Sequence, residues 1–550
     1  MRLSQLAARP RRLIPSALLA AGLTRRPVPA WQSLPAGIGV NPAPQSGPTP
    51  PPHETHAFAA VGAERRFGAP GFWTDQSDGL LFLFALHGFA GLAEYAGGDR
   101  TPAGDRFWAT VIEAWLERYT TAKNPAWHPY PTSQRVIAWA AAMSAIGEWP
   151  DDLRERMAAE LWRQAWYLRR CIEHDIGGNH VLKNATALTV AGAVFPSSKL
   201  SDRGLVLLRR ELGRQLLPDG GHEERSPSYH REVLGDLGDV VTVLECSGRV
   251  VPSWLSAAVS AATAWQAQMT GPDGSLPLLN DSWEGPAAPS ADEDRESRLE
   301  PSGYVVCRSG PDQVIFDVGP VSPPHLPPHA HADVLSVVLW ADGRPVLVDP
   351  GSFAYTGPLR RAFRSTRAHN TVEVDGRDQC ELWGDFRVAY PPNVRAAPLR
   401  RHGNDVLAAG SHDGYRRLAD PVIHSRIVIW CPGDGLIVLD MLRARQPHQV
   451  VSSLHLAPGI EHDGVERIGP FPLVALGPGA SLGMRTGSYA PYLGTKVEAT
   501  LLEDQRVMSP EVPFGFSLLR GARQVAELSA DQIVLAGGGQ AVTTIPLEWA

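Results

Sequence analysis

Three ligand-capable side chains occupy alternate positions in Pro328-His329-Ala330-His331-Ala332-Asp333, and the apolar run Val334-Leu335-Ser336-Val337-Val338-Leu339-Trp340 follows at once. An extended strand sends alternate residues to one face, so this spacing predicts His329, His331 and Asp333 side by side at a strand entrance. Such groups are costly to bury unless a metal, a substrate or hydrogen bonds satisfy them. The run is a candidate site. The plainer reading is a polar strand end satisfied by hydrogen bonds.

Four other segments carry chemistry-capable residues. Gly177-Gly178-Asn179-His180 falls at a break between helices, where unpaired backbone N–H groups and the positive end of the helix dipole suit a carboxylate. Asn179 could equally be an N-cap. The stretch Asp219-Gly220-Gly221-His222-Glu223-Glu224-Arg225-Ser226-Pro227-Ser228-Tyr229-His230 puts Tyr229 where the next helix begins. A tyrosine there is either a cap-region aromatic or a proton-transfer group whose pKa neighbouring cations lower. Val346-Leu347-Val348-Asp349-Pro350-Gly351 is a strand ending on an acid, and Arg364-Ser365-Thr366-Arg367-Ala368-His369-Asn370-Thr371-Val372 brings a further histidine. His331, Asp349 and His369 together have the residue types of a two-imidazole, one-carboxylate zinc site. An ideal hairpin turning at Asp342-Gly343 would leave Asp349 roughly 16 Å along from His331, so a bulge, a bend or a neighbouring strand must close the gap.

These segments need elements to hold them. From about Phe58 to Gly271 apolar residues recur at helical spacing, as in Phe82, Ala85, Leu86, Phe89 and Leu92, or Val233, Leu237, Val240, Val241 and Leu244. Breaks such as Gly97-Gly98-Asp99 and Asp175-Ile176-Gly177-Gly178 separate them, which fits a helical array or toroid better than a four-helix bundle. Beyond Gly303 the pattern is short β runs with turn dipeptides Asp342-Gly343, Asp375-Gly376, Asp413-Gly414 and Gly433-Asp434-Gly435, which predicts an antiparallel β-sandwich. The expected organisation is a leader and Pro/Gly-rich arm over 1–55, a helical domain over 56–285, a polar connector over 286–301 and a sandwich over 302–550.

At 550 residues the chain is too long for one core. Its 43% hydrophobic and 20% charged residues are ordinary for a globular protein, and a net charge of -7 argues against a nucleic-acid partner. Five scattered cysteines without CxxC spacing indicate neither a zinc ribbon nor a disulfide framework. Arg9, Arg11 and Arg12 ahead of the run Leu13 to Leu23 read as a secretory signal, although Pro15 interrupts the run and Arg25 and Arg26 follow it. An uncleaved cytoplasmic leader is the competing reading. No other segment reads as a membrane span.

Together these motifs resemble the heparinase II/III-type polysaccharide lyases, a group that includes alginate and oligoalginate lyases. The sheet part is similar through His329-Ala330-His331-Ala332-Asp333, Val348-Asp349-Pro350-Gly351, Arg364-Ser365-Thr366, His369-Asn370-Thr371-Val372 and Asp375-Gly376-Arg377-Asp378-Gln379. The helical part is similar through Trp127-His128-Pro129-Tyr130-Pro131-Thr132-Ser133, Gly178-Asn179-His180 and Ser226-Pro227-Ser228-Tyr229-His230. The resemblance implies a multidomain α and β protein: an N-terminal α/α toroid, a C-terminal antiparallel β-sandwich, and a cleft between them that cleaves uronic-acid polysaccharides by β-elimination. It further implies that Asn179 and His180 neutralise the uronate carboxylate, that Tyr229 is base or acid, and that His329 is a second proton-transfer group. His331, Asp349 and His369 match positions that bind one structural zinc in some members, and no organic cofactor is implied.

One departure stands out. Many relatives carry an acid three positions after the histidine of the Asn-His motif, and here that residue is Lys183. A cation there would assist neutralisation of a uronate. It also keeps open a non-catalytic acidic-glycan-binding or exopolysaccharide-assembly protein on the same scaffold. A metallo-β-lactamase-type hydrolase is disfavoured because Val334, not histidine, follows Asp333. The expected partner is an acidic polysaccharide and the expected location is the periplasm, the envelope or outside the cell, with the cytoplasm as the alternative. The sequence leaves the polymer and the oligomeric state open.

Overall fold

The structure, a computed structural model, describes residues 27–34, 38–39, 52–119, 125–147, 149–150, 152–291, 294–537 and 542–550. The expected leader, Arg9 to Leu23, lies outside the described residues. The chain forms two compact units. One comprises the residues up to Leu216 with Tyr229–Thr263, the other Leu217–Ser228 with Ala264–Ala550.

The principal helices are α1 (Gly79–Gly88), α2 (Leu92–Gly97), α3 (Pro102–Arg118), α4 (Pro129–Ala145), α5 (Leu153–Leu168), α6 (Gly178–Val194), α7 (Ser198–Gln215), α8 (Pro227–Cys246) and α9 (Ser253–Met269). Local chemistry sets their starts. Pro102 and Pro129 stand first in α3 and α4, where a missing N–H costs nothing, and Thr101 and His128 accept from the backbone N–H groups of Gly104 and Tyr130. α4 and α6 pack together, α1 and α2 rest on α4, and α7 pairs with α6. That last crossing is tight: a Cβ on Gly192 would meet Ser201 N at 2.4 Å, and one on Gly204 would meet Ala185 O at 2.7 Å. Trp108, Trp115, Trp139, Leu182 and Leu188 lie in one continuous core.

The predicted run from Phe82 to Leu92 is not one helix. Phe89 is left-handed (φ 59°) and ends α1. Gly79–Gly97 has the length and hydropathy of a membrane span, contrary to expectation, but it is these two helices, and 56% of its apolar window is buried inside the protein.

The sheet-rich unit opens with an antiparallel meander of β1 (Arg295–Leu299), β2 (Tyr304–Ser309), β3 (Asp312–Asp317), β4 (Val337–Ala341) and β5 (Arg344–Leu347). Alternation gives it two buried faces. Val305, Cys307, Val314, Phe316, Val337 and Leu339 pack into the main sandwich core, while Tyr304, Val306, Ile315, Val338 and Trp340 pack on Trp265 and Met269. β1 falls inside the stretch expected to be a connector. It is an edge strand, which tolerates charge, and its Glu296 pairs with Arg401 at 2.6 Å. A nine-stranded antiparallel sheet containing Asp405–Tyr415, Val422–Cys431 and Gly435–Arg443 shares the main core through Val406, Ala408, Val428 and Trp430. A four-stranded sheet runs Leu482–Tyr492, Thr495–Met508, His448–His455 and β6 (Val372–Val374).

Asp342-Gly343 and Asp375-Gly376 turn with both residues at positive φ, as a type I′ turn requires. Asp413-Gly414 instead lies within a strand, at an irregularity in register between His412 and Tyr415.

Candidate functional site

In the helical unit the predicted residues gather around a buried acid that the motifs did not include. Gly177 (φ 80°) is the N-cap of α6, so Asn179 is a buried second residue of the helix and not its cap. His180 places Nδ1 3.1 Å from Glu173 Oε1 and its ring 4.4 Å from that of Tyr130. Asn184 Nδ2 donates to Glu173 Oε2 at 3.1 Å, and His128 Nδ1 lies 3.6 Å from Oε1. Burial would raise the Glu173 carboxyl, but the imidazoles of His180 and His128 and the Asn184 amide hold it below the ordinary carboxylate range. The buried, ionised acid accepts from the His180 ring at Nδ1 and so fixes its orientation.

Lys183, one turn beyond His180, has its counter-charge within the protein. Its Nζ lies 2.6 Å from Asp236 Oδ1. Burial would lower the ammonium, yet Asp236 and Glu232 raise it, so the lysine is a buried cation already matched within the unit. Tyr229, 4% exposed, is the third residue of α8, with Glu232 and Asp236 one and two turns further on. A cavity of ≈ 920 Å³, counted to its open mouth, is lined in part by Tyr130, Gln134, Lys183, Glu232, Asp236 and Asp239.

In the sheet-rich unit the run 328–333 is not an extended strand. The chain turns at Val334 and Leu335, with Leu335 left-handed (φ 64°), and β4 begins only at Val337. Within the run itself residues 328 and 329 form a turn and Ala332 a bend, so His329, His331 and Asp333 do not share a strand face. His329 keeps 15% of its side chain exposed, whereas His331 and Asp333 are buried.

Asp281 organises the two histidines. Its Oδ2 lies 2.9 Å from His329 Nδ1 and its Oδ1 3.0 Å from His331 Nε2. Ser352 Oγ donates to Oδ1 at 2.8 Å, and the Arg360 guanidinium grips both oxygens. Burial would raise this carboxyl, but Arg360 and the two imidazoles hold it well below the usual range. An ionised carboxylate only accepts, so His329 donates to Asp281 from Nδ1, and its Nε2 lies 3.6 Å from Glu224 Oε2.

The predicted metal residues meet. One ligand atom each from His331, Asp349 and His369 lies within 4.8 Å of the others, and all three residues are buried. Asn370 closes the gap that an ideal hairpin would leave. Its Nδ2 donates to Val337 O at 2.8 Å and Val348 O at 2.9 Å, tying the start of β4 to the end of β5 beside His369. A register shift between Leu339 and Trp340 contributes. The set fits a metal: His331 Nδ1 and His369 Nε2 are buried without a hydrogen-bond partner, and burial pushes the His331 imidazole down to about 4, toward the neutral form that coordinates.

The motifs missed Glu173, Asp281 and Arg360. Some signal existed for two of them. Asn280-Asp281-Ser282 is a polar triplet flanked by Leu278-Leu279 and Trp283, and four arginines fall between positions 360 and 367.

Residues 91–293 match the family model described as heparinase II/III N-terminus, and residues 293–507 that described as heparinase II/III-like, C-terminal. The chain is 28% identical over 392 residues to FtsZ-localized protein C of Caulobacter vibrioides, covering 67% of this chain and 66% of that protein. It is 25% identical over 312 residues to a heparin-sulfate lyase of Bacteroides stercoris, covering 49% of this chain and 44% of the lyase. The match thus spans just under two thirds of the first relative and less than half of the second. The crystal structure of heparinase III is similar in fold, with a TM-score of 0.70 at 17% identity over 85% of this chain and 83% of that one.

Proposed function

Since the chain belongs to the heparinase II/III-type family, with an α/α toroid followed by an antiparallel β-sandwich, we propose that it is a polysaccharide lyase that cleaves a uronic-acid-containing acidic polysaccharide by β-elimination. The observation that carries this reading is the seating of His329. A partly exposed imidazole is held by its Nδ1 on a buried, arginine-anchored carboxylate, the arrangement of an oriented proton-transfer group.

The chemistry assigns the remaining roles. The C5 proton of a uronate leaves only when the adjacent carboxylate is neutralised, a base faces C5, and the departing C4 oxygen receives a proton. Asn179 and His180 neutralise the carboxylate, with Glu173 holding the imidazole. Tyr229 removes the proton or delivers one to the leaving oxygen, and His329 is the second proton-transfer group. His331, Asp349 and His369 would hold one structural zinc, which when bound neutralises the buried carboxylate and orders the loop that carries His329. The reaction requires no organic cofactor. An acidic-polysaccharide substrate supports action in the periplasm, the cell envelope or outside the cell, with the cytoplasm as the alternative.

A second reading is a non-catalytic acidic-glycan-binding or exopolysaccharide-assembly protein. The Lys183–Asp236 pair favours it, because the lysine is already neutralised within the protein. Incubation with alginate, heparan sulfate and hyaluronan distinguishes the two. β-Elimination leaves a conjugated unsaturated uronate absorbing near ~232 nm, and binding without growth of that absorbance rejects the lyase.

A further inference from the structure

The sheet-rich unit carries a small hairpin outside the main sheets, formed by β7 (Glu381–Trp383) and β8 (Arg387–Ala389). Trp383 pairs with Arg387 and Leu382 with Val388. Leu382 is buried and Val388 packs on the same core, so the two-residue period turns Trp383 and Arg387 to the opposite face. There Trp383 is 60% exposed, with Phe386 at 44% in the turn and Tyr390 at 67% just beyond. Three large aromatics exposed within eight residues are unusual on a surface with no partner, and clusters of this kind mark interaction sites.

The hairpin is built into the frame that holds His329. Arg360 Nε and Arg364 NH1 donate to Asp385 O in the hairpin turn at 3.1 and 2.8 Å. The same Arg360 grips Asp281, the carboxylate beneath His329. A chain of rings runs in parallel, from His329 to Tyr355 (5.9 Å between centroids) and from Tyr355 to Phe386 (6.5 Å). On the hairpin itself the Arg387 guanidinium lies 4.7 Å from the centre of the Trp383 ring, so platform and cation are pre-arranged.

We propose that this hairpin is an outer sugar-binding subsite for an acidic polysaccharide whose chain passes His329. The inference rests on the lyase or glycan-binding reading given above. A pyranose presents a face of C–H groups that packs on an exposed indole or phenyl ring, and its hydroxyl and acidic groups lie at the rim. Arg387 meets a carboxylate or sulfate with a planar pair of N–H donors. Glu381 lies two positions before Trp383, exposed on the same face, and accepts from hydroxyls. That carboxylate is also the argument against a lipid surface, since anionic headgroups would meet it beside Trp383.

The experiment compares affinity for long and short chains. Binding of alginate, heparan sulfate and hyaluronan, each as polymer and as tetrasaccharide, is measured by calorimetry on the full chain and on Trp383→Ala/Arg387→Ala. Both proteins carry Tyr229→Phe to prevent turnover. The polymer that binds should lose about 10-fold in affinity in the variant, with a smaller loss for its tetrasaccharide. An unchanged polymer affinity overturns the subsite and leaves the function standing. Failure of the parent to bind any of the three overturns both. Loss of binding to phosphatidylglycerol vesicles with polymer affinity intact would assign the hairpin to a membrane and overturn the subsite.

Discussion

Asp281 accepts the Nδ1 proton of His329 at 2.9 Å across 48 residues of chain, and with its other oxygen it holds His331. One buried carboxylate thus orients the proposed proton-transfer imidazole and a proposed metal ligand together, and Arg360 keeps it ionised. Asp281→Asn leaves Arg360 as a buried cation without its counter-charge, a change that costs about 3–5 kcal/mol. Urea unfolding should show that loss, and turnover should fall with it. Wild-type stability and rate in this variant would remove Asp281 from its organising role.

Tyr229 lies on the α8 stripe that continues to Glu232 and Asp236. Tyr229→Phe removes one oxygen and nothing else. Turnover should drop by about 10²–10⁴-fold, with melting temperature and polysaccharide affinity close to wild type. A variant that retained the parent rate would show that the phenol moves no proton.

Glu173 holds the His180 ring at 3.1 Å and lies 3.6 Å from His128 Nδ1. Glu173→Gln keeps the shape and removes the negative charge that seats the His180 ring. KM for an acidic substrate should rise about 10-fold with a smaller change in kcat, the signature of lost ground-state binding. An unaltered KM would make Glu173 a packing residue only.

The cluster of His331, Asp349 and His369 should hold one zinc per chain, measurable by elemental analysis of the native protein. His331→Ala should lose the ion and lower the melting temperature by about 5 °C or more. Native protein without stoichiometric metal would reject the site.

Asp239 gives a pH signature of its own in the helical unit. Burial, and then the neighbouring Asp236, push its carboxyl up to about 7, against hydrogen bonding from Gly39 N and the Lys183 cation. A folded-state pKa above the unfolded value means that the native protein binds the extra proton. The contribution is therefore complete below about pH 4 and is lost as pH rises through 7. Asp239→Asn should remove a decline on the order of 2–4 kcal/mol between those limits. Parallel pH–stability curves for variant and parent would contradict this.

Much of the candidate site was legible because its residues lie in short motifs. His329, His331, Asp349 and His369 are each next to a turn or strand end, and the type I′ turns at Asp342-Gly343 and Asp375-Gly376 demand residues that accept positive φ. The strand assumed for residues 328–333 failed because alternation is shared by extended chain and by a loop whose backbone is held from outside. Here Arg364 Nε supports Ala330 O at 2.8 Å and Arg364 O receives Ala332 N at 2.9 Å.

Sequence alone determined the division into a helical and a sheet-rich part, since side-chain period and turn chemistry act over a few residues. It also determined which imidazoles, carboxylates and phenol are available. Tertiary structure decided what each of them touches. Asp281 meets Arg360 across 79 residues, and Lys183 meets Asp236 across 53. These partners are chosen by desolvation: a buried charge must find its counter-charge wherever the fold brings one, and no local pattern records that choice.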